Sequence, residues 1–331
     1  TAVGRNALLA NTTADNNTAV GYSAGAAVTT GIENTLVGGF AGDGVTSGTA
    51  NVAIGYNALS DAGSGNGSIA IGKNALAAQT GAGDRVNTAV GLLAGAAVTT
   101  GQYNTLIGGL AGDAITTAAN NTAVGFASLS ADTTGSSNTA FGRGAGAGVT
   151  TGDLNVLIGT YAGDALTDAD ANIAIGYSAL SADTLGSKSV AIGRSALANQ
   201  NFTSATESFN TAVGQEAGLS VTTGVENTIV GALAADAMTT GDSNTFIGNS
   251  SAGTGVVTGD SNTGVGKSSG LNLTSGSNNL FLGHDAGITG SPGGNHATAD
   301  SRIVLGDENI AAANIQVDWT VASDARDKTD F

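Results

Sequence analysis

The sequence has no cysteine, one proline and few aromatic or basic residues, and each shortage excludes a class of protein. Without cysteine there is no disulfide framework and no thiol chemistry. Aromatic residues make up 4% of the chain, and many of the 41% hydrophobic residues are alanine, so a thick globular core cannot form. Only 10 Lys and Arg stand against 26 Asp and Glu, which disfavours nucleic acid and anionic membranes as partners. No apolar run approaches the roughly 18 residues of a membrane span, so membrane insertion is not expected.

Glycine is abundant instead, at 53 of 331 residues, and it recurs in phase. The phrase NTAVG ends at Gly21, and its near-copy NTLVG ends at Gly38, 17 residues later. Val, Ile and Leu keep a fixed phase with these glycines, which argues against disorder and for a structural repeat. We call the recurring residues the anchor glycines: Gly4, Gly21, Gly38, Gly55, Gly72, Gly91, Gly108, Gly125, Gly142, Gly159, Gly176, Gly193, Gly214, Gly231, Gly248, Gly266, Gly283 and Gly306.

Each repeat has the same internal order. The residue before the anchor glycine is Val, Ile, Phe or Leu, and the residue three before it is Thr, Val, Ile or Leu. Two positions of equal parity in a strand face the same side, so we expect Thr18 and Val20 to fill a thin core. Gly21 is expected at a positive φ or at a site too crowded for a Cβ atom. Ala24, which represents a nearly constant alanine, is expected to let neighbouring chains approach closely.

These features predict an all-β fold, a repetitive β-solenoid or β-roll of about 17 residues per coil and about 18 coils. A strand of about five residues, a small-residue segment and a glycine-bearing turn would form each coil. No apolar period of 3.6 residues runs through the repeat, which excludes a helical solenoid. One coil encloses little volume, so a single chain buries marginal apolar area. We therefore expect a parallel homotrimer whose Ala and Gly faces pack around an axis.

The repeat NTAVGYSAGAAVTTGIE resembles two related families. The segments GSIAIGKNAL (67–76) and KSVAIGRSAL (188–197) are similar to the head repeat of trimeric autotransporter adhesins, a left-handed parallel β-roll. The closer resemblance is to the NTAIG-type repeat of bacteriophage tail-fibre and spike proteins, and it covers about residues 1–310. The resemblance implies a trimeric fibre, and it is more specific for architecture than for a biological role.

The end of the chain, SDARDKTDF (323–331), resembles the first residues of the endosialidase-type intramolecular chaperone domain of phage fibres. In that family the chaperone assembles the trimer and then cuts itself off at a serine, assisted by a lysine five residues on. The matching positions are Ser323 and Lys328. The resemblance implies one self-cleavage event, in which the amine takes the proton of the serine hydroxyl, and no other enzymatic activity. The alternative is that 323–331 is only a charged tail.

Other motifs predict neither a cofactor nor a metal site. His284 and His296 are isolated from each other in the sequence, and the aspartates of the AGD and AAD segments are expected to be solvated turn residues. Asp168 and Asp170 lie in a turn without a pocket-forming context, which disfavours glycosidase chemistry. Three insertions, at 78–87, 199–210 and 287–301, are expected to be tolerated bulges, and the alternative is that they are binding loops.

The sequence thus predicts a repetitive shaft over 1–290, an exit segment with a last strand over 291–322, and the beginning of an autocleaving chaperone over 323–331. The expected function is that of a structural and adhesive shaft of a phage tail fibre or spike, extracellular and on the virion. Other virion tail proteins and a host receptor, glycan or protein, would be its partners. The first alternative is the head of a bacterial trimeric autotransporter adhesin, and a second is a polysaccharide depolymerase. The chain begins inside a repeat, so we expect it to be part of a longer protein.

Overall fold

A computed structural model describes residues 1–312 of the chain, and these residues wind into a parallel β-solenoid. One sheet holds 18 strands, each in parallel pairing with the equivalent strand of the next repeat. The register follows the repeat, so that Ala19 pairs with Leu36 and Leu36 pairs with Ala53. The predicted all-β solenoid of about 17 residues per turn is therefore confirmed. Its strands are two or three residues long, shorter than the five residues expected.

The strands of the main sheet follow one another along the chain, and each one ends just before an anchor glycine. They are β1 Ala2–Val3, β2 Thr18–Val20, β3 Thr35–Val37, β4 Val52–Ile54, β6 Ile69–Ile71, β8 Thr88–Val90, β9 Thr105–Ile107, β10 Thr122–Val124, β11 Thr139–Phe141, β12 Val156–Ile158, β13 Ile173–Ile175, β15 Val190–Ile192, β17 Thr211–Val213, β18 Thr228–Val230, β19 Thr245–Ile247, β20 Thr263–Val265, β21 Leu280–Leu282 and β22 Ile303–Leu305.

Two of the predicted insertions add a second, smaller pairing at a corner of the coil. β5 (Gly65–Asn66) pairs with β7 (Gly83–Asp84), and β14 (Gly186–Ser187) pairs with β16 (Thr206–Glu207), both in parallel. The extra residues thus extend the stack locally. Among residues 1–312 no helix is long and apolar enough to cross a membrane.

The anchor glycines occupy a backbone site that no other residue fits. Gly21 has a φ of 143°, and a Cβ atom added to it would lie 2.3 Å from the carbonyl oxygen of Gly38 in the next coil. Both halves of the prediction are confirmed, because the site combines a positive φ with close approach of the neighbouring backbone. This contact recurs from coil to coil and explains why the glycine is in phase along the chain.

The prediction of which strand residues fill the core is wrong. The middle residue of the strand, Ala19, is fully buried, whereas Val20 is 38% exposed and Thr18 is only half-buried. Equal parity correctly places Thr18 and Val20 on one face, but that face is the outer face of the sheet. Ala24 is also fully buried inside its own coil, so it cannot be the residue that brings neighbouring chains together.

The thin core is filled by matching a large residue with small ones in adjacent positions. Leu36, in the middle of β3, extends its methyl groups toward Gly25 and Gly42, where an added Cβ would lie 2.6 Å from a Leu36 carbon in each case. Where the middle strand residue is alanine, as at Ala53, the glycine is replaced by a buried leucine, here Leu59. The total core volume is thus kept nearly constant from coil to coil, as close packing requires.

A ladder of buried asparagines runs along the solenoid beside the sheet. In each coil the side-chain oxygen accepts a hydrogen bond from the backbone N–H of the asparagine one coil on, as from Asn34 to Asn17 at 2.9 Å. The side-chain amide donates across the turn, as from Asn17 to the carbonyl of Gly31 at 2.8 Å. Each asparagine therefore pairs backbone groups that would otherwise be buried without partners. The ladder comprises Asn17, Asn34, Asn51, Asn87, Asn104, Asn121, Asn138, Asn155, Asn172, Asn210, Asn227, Asn244, Asn262 and Asn279.

Candidate functional surface

The outer face of the main sheet carries a continuous apolar stripe, formed by the residue before each anchor glycine. None of these side chains is fully covered, and Phe141 is the most prominent example at 57% exposed. No polar residue interrupts the stripe in any of the 18 strands. We call it the apolar stripe, and it consists of Val3, Val20, Val37, Ile54, Ile71, Val90, Ile107, Val124, Phe141, Ile158, Ile175, Ile192, Val213, Val230, Ile247, Val265, Leu282 and Leu305.

Exposed aromatic rings follow the anchor glycines near the N-terminal end of the solenoid. The rings of Tyr22 and Phe40 make an edge contact with centroids 5.1 Å apart, and Phe40 contacts Tyr56 in the same manner at 5.9 Å. The guanidinium of Arg5 lies 5.9 Å from the centre of the Tyr22 ring. Aromatic and cation–π contacts of this kind fix a surface of flat rings that remains open to solvent.

A second array has the same chemistry further along the rod. The guanidinium of Arg143 lies 5.3 Å from the centre of the Tyr161 ring, and Tyr161 makes an edge contact with Tyr177 at 6.5 Å. We call the two sets the aromatic arrays. They use cations and rings, both of which are scarce in this composition.

Two buried aspartates lie in the core, each seven residues after an anchor glycine. Asp183 accepts hydrogen bonds from the backbone N–H of Gly186 at 3.0 Å and from the side-chain amide of Gln200 at 2.6 Å. Asp132 accepts from the N–H of Gly135 at 2.8 Å through Oδ1, but its buried Oδ2 has no partner among residues 1–312. Desolvation by burial raises the pKa of Asp132 to about 7, against the lowering effect of the Gly135 hydrogen bond.

The aspartates of the AGD and AAD segments are less solvated than the sequence suggested. Asp43, Asp113, Asp164 and Asp236 each have one buried carboxylate oxygen without a hydrogen-bond partner in the described part of the chain. Desolvation raises the pKa of each of these carboxyl groups. They recur several coils apart, so they do not converge on one site.

Asp168 and Asp170 are occupied by turn contacts. Asp168 accepts a hydrogen bond from the hydroxyl of Thr151 at 2.6 Å, and Asp170 accepts from the backbone N–H of Asp153 at 2.7 Å. Both line a shallow open groove that also includes the ion pair between Lys188 and Glu207. Because these carboxylates serve the turns, their arrangement does not favour the depolymerase alternative.

One cluster of potential metal ligands was not foreseen from the sequence. His284 lies beside Asp285 and Asp307, and one ligand atom from each falls within 4.8 Å of the others. The signal was present in the phase of the repeat, since His284 and Asp307 both directly follow an anchor glycine. His296 is not part of this cluster, and its Nε2 atom lies 3.1 Å from the carbonyl oxygen of Pro292.

The predicted self-cleavage residues Ser323 and Lys328 lie outside the described residues, as does the segment 323–331 to which they belong. Their assignment stays a prediction. No protein-family model and no curated protein matches this sequence.

Proposed function

We propose that the chain forms the shaft of a trimeric extracellular fibre, of the kind that phage tail fibres and spikes use for host attachment. The apolar stripe is the observation that supports this function best. Parallel sheets are normally covered on both faces, and here one face of an 18-stranded sheet is open. A continuous apolar surface of this extent is typical of a protein interface.

The spacing of the stripe favours another copy of the chain as the partner. Successive stripe residues are one strand apart, about 4.8 Å in a β-sheet, so the stripe is roughly 80 Å long. A partner must present apolar side chains at the same interval over the same length, and a parallel copy of the solenoid does so. Three copies arranged around an axis would place Val20 and its equivalents at the centre, with the Ala24 positions inside each chain.

The aromatic arrays supply an adhesive surface for the same fibre. Exposed rings such as Tyr22 and Tyr56 can stack on sugar rings, and the adjacent Arg5 can pair with an acidic group. A host glycan is thus the receptor class that this surface fits. In this proposal the fibre is matured by cleavage at Ser323 with the help of Lys328, it holds no cofactor, and it attaches to other tail proteins of a virion.

Binding of the purified, fluorescently labelled chain to a panel of bacterial strains tests the attachment function. We expect saturable binding to some strains, and we expect a variant with Tyr22→Ala, Phe40→Ala and Tyr56→Ala to bind at least tenfold more weakly. Loss of binding after enzymatic removal of surface polysaccharide would identify a glycan receptor. Failure to bind any strain, with the rod intact by electron microscopy, would contradict an adhesive role.

The bacterial adhesin head remains the second candidate, because it would use the same apolar stripe and the same repeat. The gene sequence beyond Phe331 separates the two. A chaperone domain there supports the phage fibre, whereas a coiled-coil stalk and an outer-membrane anchor support the adhesin.

A further inference from the structure

His284, Asp285 and Asp307 come together because the solenoid stacks two equivalent positions. His284 follows Gly283 and Asp307 follows Gly306, and the preceding strands β21 and β22 pair in parallel. The 23-residue spacing between these anchor glycines includes the insertion 287–301. The stacking therefore brings together side chains that are far apart in sequence, at the last coil that the structure describes.

The distances match the ligand shell of a small divalent ion. His284 Nδ1 lies 3.3 Å from Asp285 Oδ2 and 3.5 Å from Asp307 Oδ2. In a tetrahedral site with bonds of about 2.0–2.2 Å, ligand atoms are separated by roughly 3.3–3.5 Å. Both separations from the imidazole nitrogen thus equal an edge of such a tetrahedron.

The charges also call for a cation at the point where the three groups meet. A neutral imidazole can donate one proton from Nδ1, and it can donate it to only one of the two carboxylates. Within residues 1–312, His284 is the only basic group at ion-pair distance from Asp285 or Asp307. A divalent cation would neutralise both carboxylates and would also accept the lone pair of the imidazole.

The ligands are held in place by hydrogen bonds from the surrounding backbone. Asn309 donates its backbone N–H to Asp307 Oδ1 at 2.9 Å and its side-chain amide to Oδ2 at 3.1 Å. Ser291 donates its hydroxyl to the carbonyl of Asp285 at 2.8 Å. Outer contacts of this kind orient ligands in metal sites, so little reorganisation would be needed on binding.

We propose that His284, Asp285 and Asp307 bind one divalent ion of the Zn²⁺ class, which clamps the last described coil onto the preceding one. One imidazole nitrogen and two carboxylate oxygens suit Zn²⁺ and its transition-metal neighbours. The side chain of His284 is 56% exposed, which leaves room for water as the fourth ligand. This proposal departs from the sequence-based expectation of no metal site, and it is independent of the proposed fibre function.

Titration of the full 331-residue chain tests the site. Protein stripped with a chelator and dialysed would be titrated with ZnCl2 by calorimetry and with CoCl2 by visible absorption. We expect one ion per chain and the intense ligand-field bands of four-coordinate Co²⁺. The variants H284Q and D307N should each weaken Zn²⁺ binding at least tenfold, whereas H296Q should bind as the unmodified chain does.

Two results would overturn the proposal: no Zn²⁺ uptake by the unmodified chain, or equal affinity in H284Q and H296Q. Circular dichroism of each variant verifies that the β-solenoid is intact. If D307N fails to fold because Asn309 loses its partner, D285N serves in its place and should lose the four-coordinate Co²⁺ bands.

Discussion

The amide of Gln200 donates a 2.6 Å hydrogen bond to Asp183 Oδ2, whereas Val149 occupies the corresponding place beside Asp132. Each of the four residues lies seven positions after an anchor glycine, so the two pairs are equivalent neighbours in the stack. Asp183 has partners for both oxygens. Asp132 Oδ2 has none in the described chain, and it lies where an apolar side chain stands in most coils.

Replacing Asp132 by asparagine should change how stability depends on pH. The pKa of Asp132 is about 7 in the folded chain, above the roughly 3.9 of an unfolded chain. The folded state therefore binds more protons between these values, and the free energy of unfolding decreases as the pH rises from about 4 to 7. A shift of about three units corresponds to about 4 kcal/mol.

Chemical unfolding between pH 4.5 and 8 measures this effect. We expect D132N to lose most of the pH-dependent decrease and to be more stable than the unmodified chain at pH 8. An identical pH profile in both proteins would show that Asp132 does not titrate in this range.

Replacing Val149 by glutamine should supply the missing donor to Asp132. By analogy with Gln200, the new amide would reach Asp132 Oδ2 and lower its pKa, because the hydrogen bond favours the charged carboxylate. We expect V149Q to gain about 1–2 kcal/mol at pH 8. V45Q is the matched control, since Val45 is equally buried and its neighbours Val28 and Ala62 offer the amide no partner.

Thermal unfolding at pH 8 compares the two variants. V149Q should unfold at or above the temperature of the unmodified chain, and V45Q well below it. Equal destabilisation by both changes would contradict the assigned pairing.

Gly38 and Gly39 are adjacent, yet they should respond very differently to alanine. Gly38 has a φ of 136°, and its Cβ would lie 2.5 Å from the carbonyl oxygen of Gly55. The Cβ of Gly39 would meet only the ring of Tyr56, at 3.6 Å. We expect Gly38→Ala to lower the free energy of unfolding by about 3 kcal/mol or more, because backbone strain and overpacking add. Gly39→Ala should change it by less than about 0.5 kcal/mol, and denaturant titration of both variants provides the measurement.

Charges introduced into the apolar stripe should weaken the proposed trimer. In the variant Phe141→Lys, Ile158→Lys, two adjacent strands would each bring a lysine from every copy into a desolvated interface. We expect the concentration needed for assembly to rise at least tenfold. Val256→Lys is the control, because Val256 is exposed to the same extent, 58% against 57% for Phe141, but lies on a turn. Equal effects in analytical ultracentrifugation would exclude the stripe as the interface.

The phase of the glycines was sufficient to predict the solenoid, because the backbone contact between Gly21 and Gly38 has to recur in every coil. The direction of the strand faces was not predicted correctly. Parity shows that Thr18 and Val20 share a face, but it does not show which face is inside. The informative residue was Leu36, whose size is matched by glycines at the facing positions and which therefore belongs to the core.

The buried polar network was harder to predict from the sequence than the coil. Asn17 and its equivalents precede each strand in a motif that is also typical of exposed turns. Only the stacked structure shows that the side chain satisfies buried backbone groups in two coils. The cluster around His284 was missed for a related reason, because Asp307 is near in space only after a 23-residue insertion is folded away.

The absolute mass of the purified chain in solution, by light scattering coupled to size-exclusion chromatography, tests the central claim most directly. Three chains of 31.7 kDa predict a particle of about 95 kDa that persists on dilution. A stable mass of 31.7 kDa would contradict the proposal that copies of the chain cover the apolar stripe.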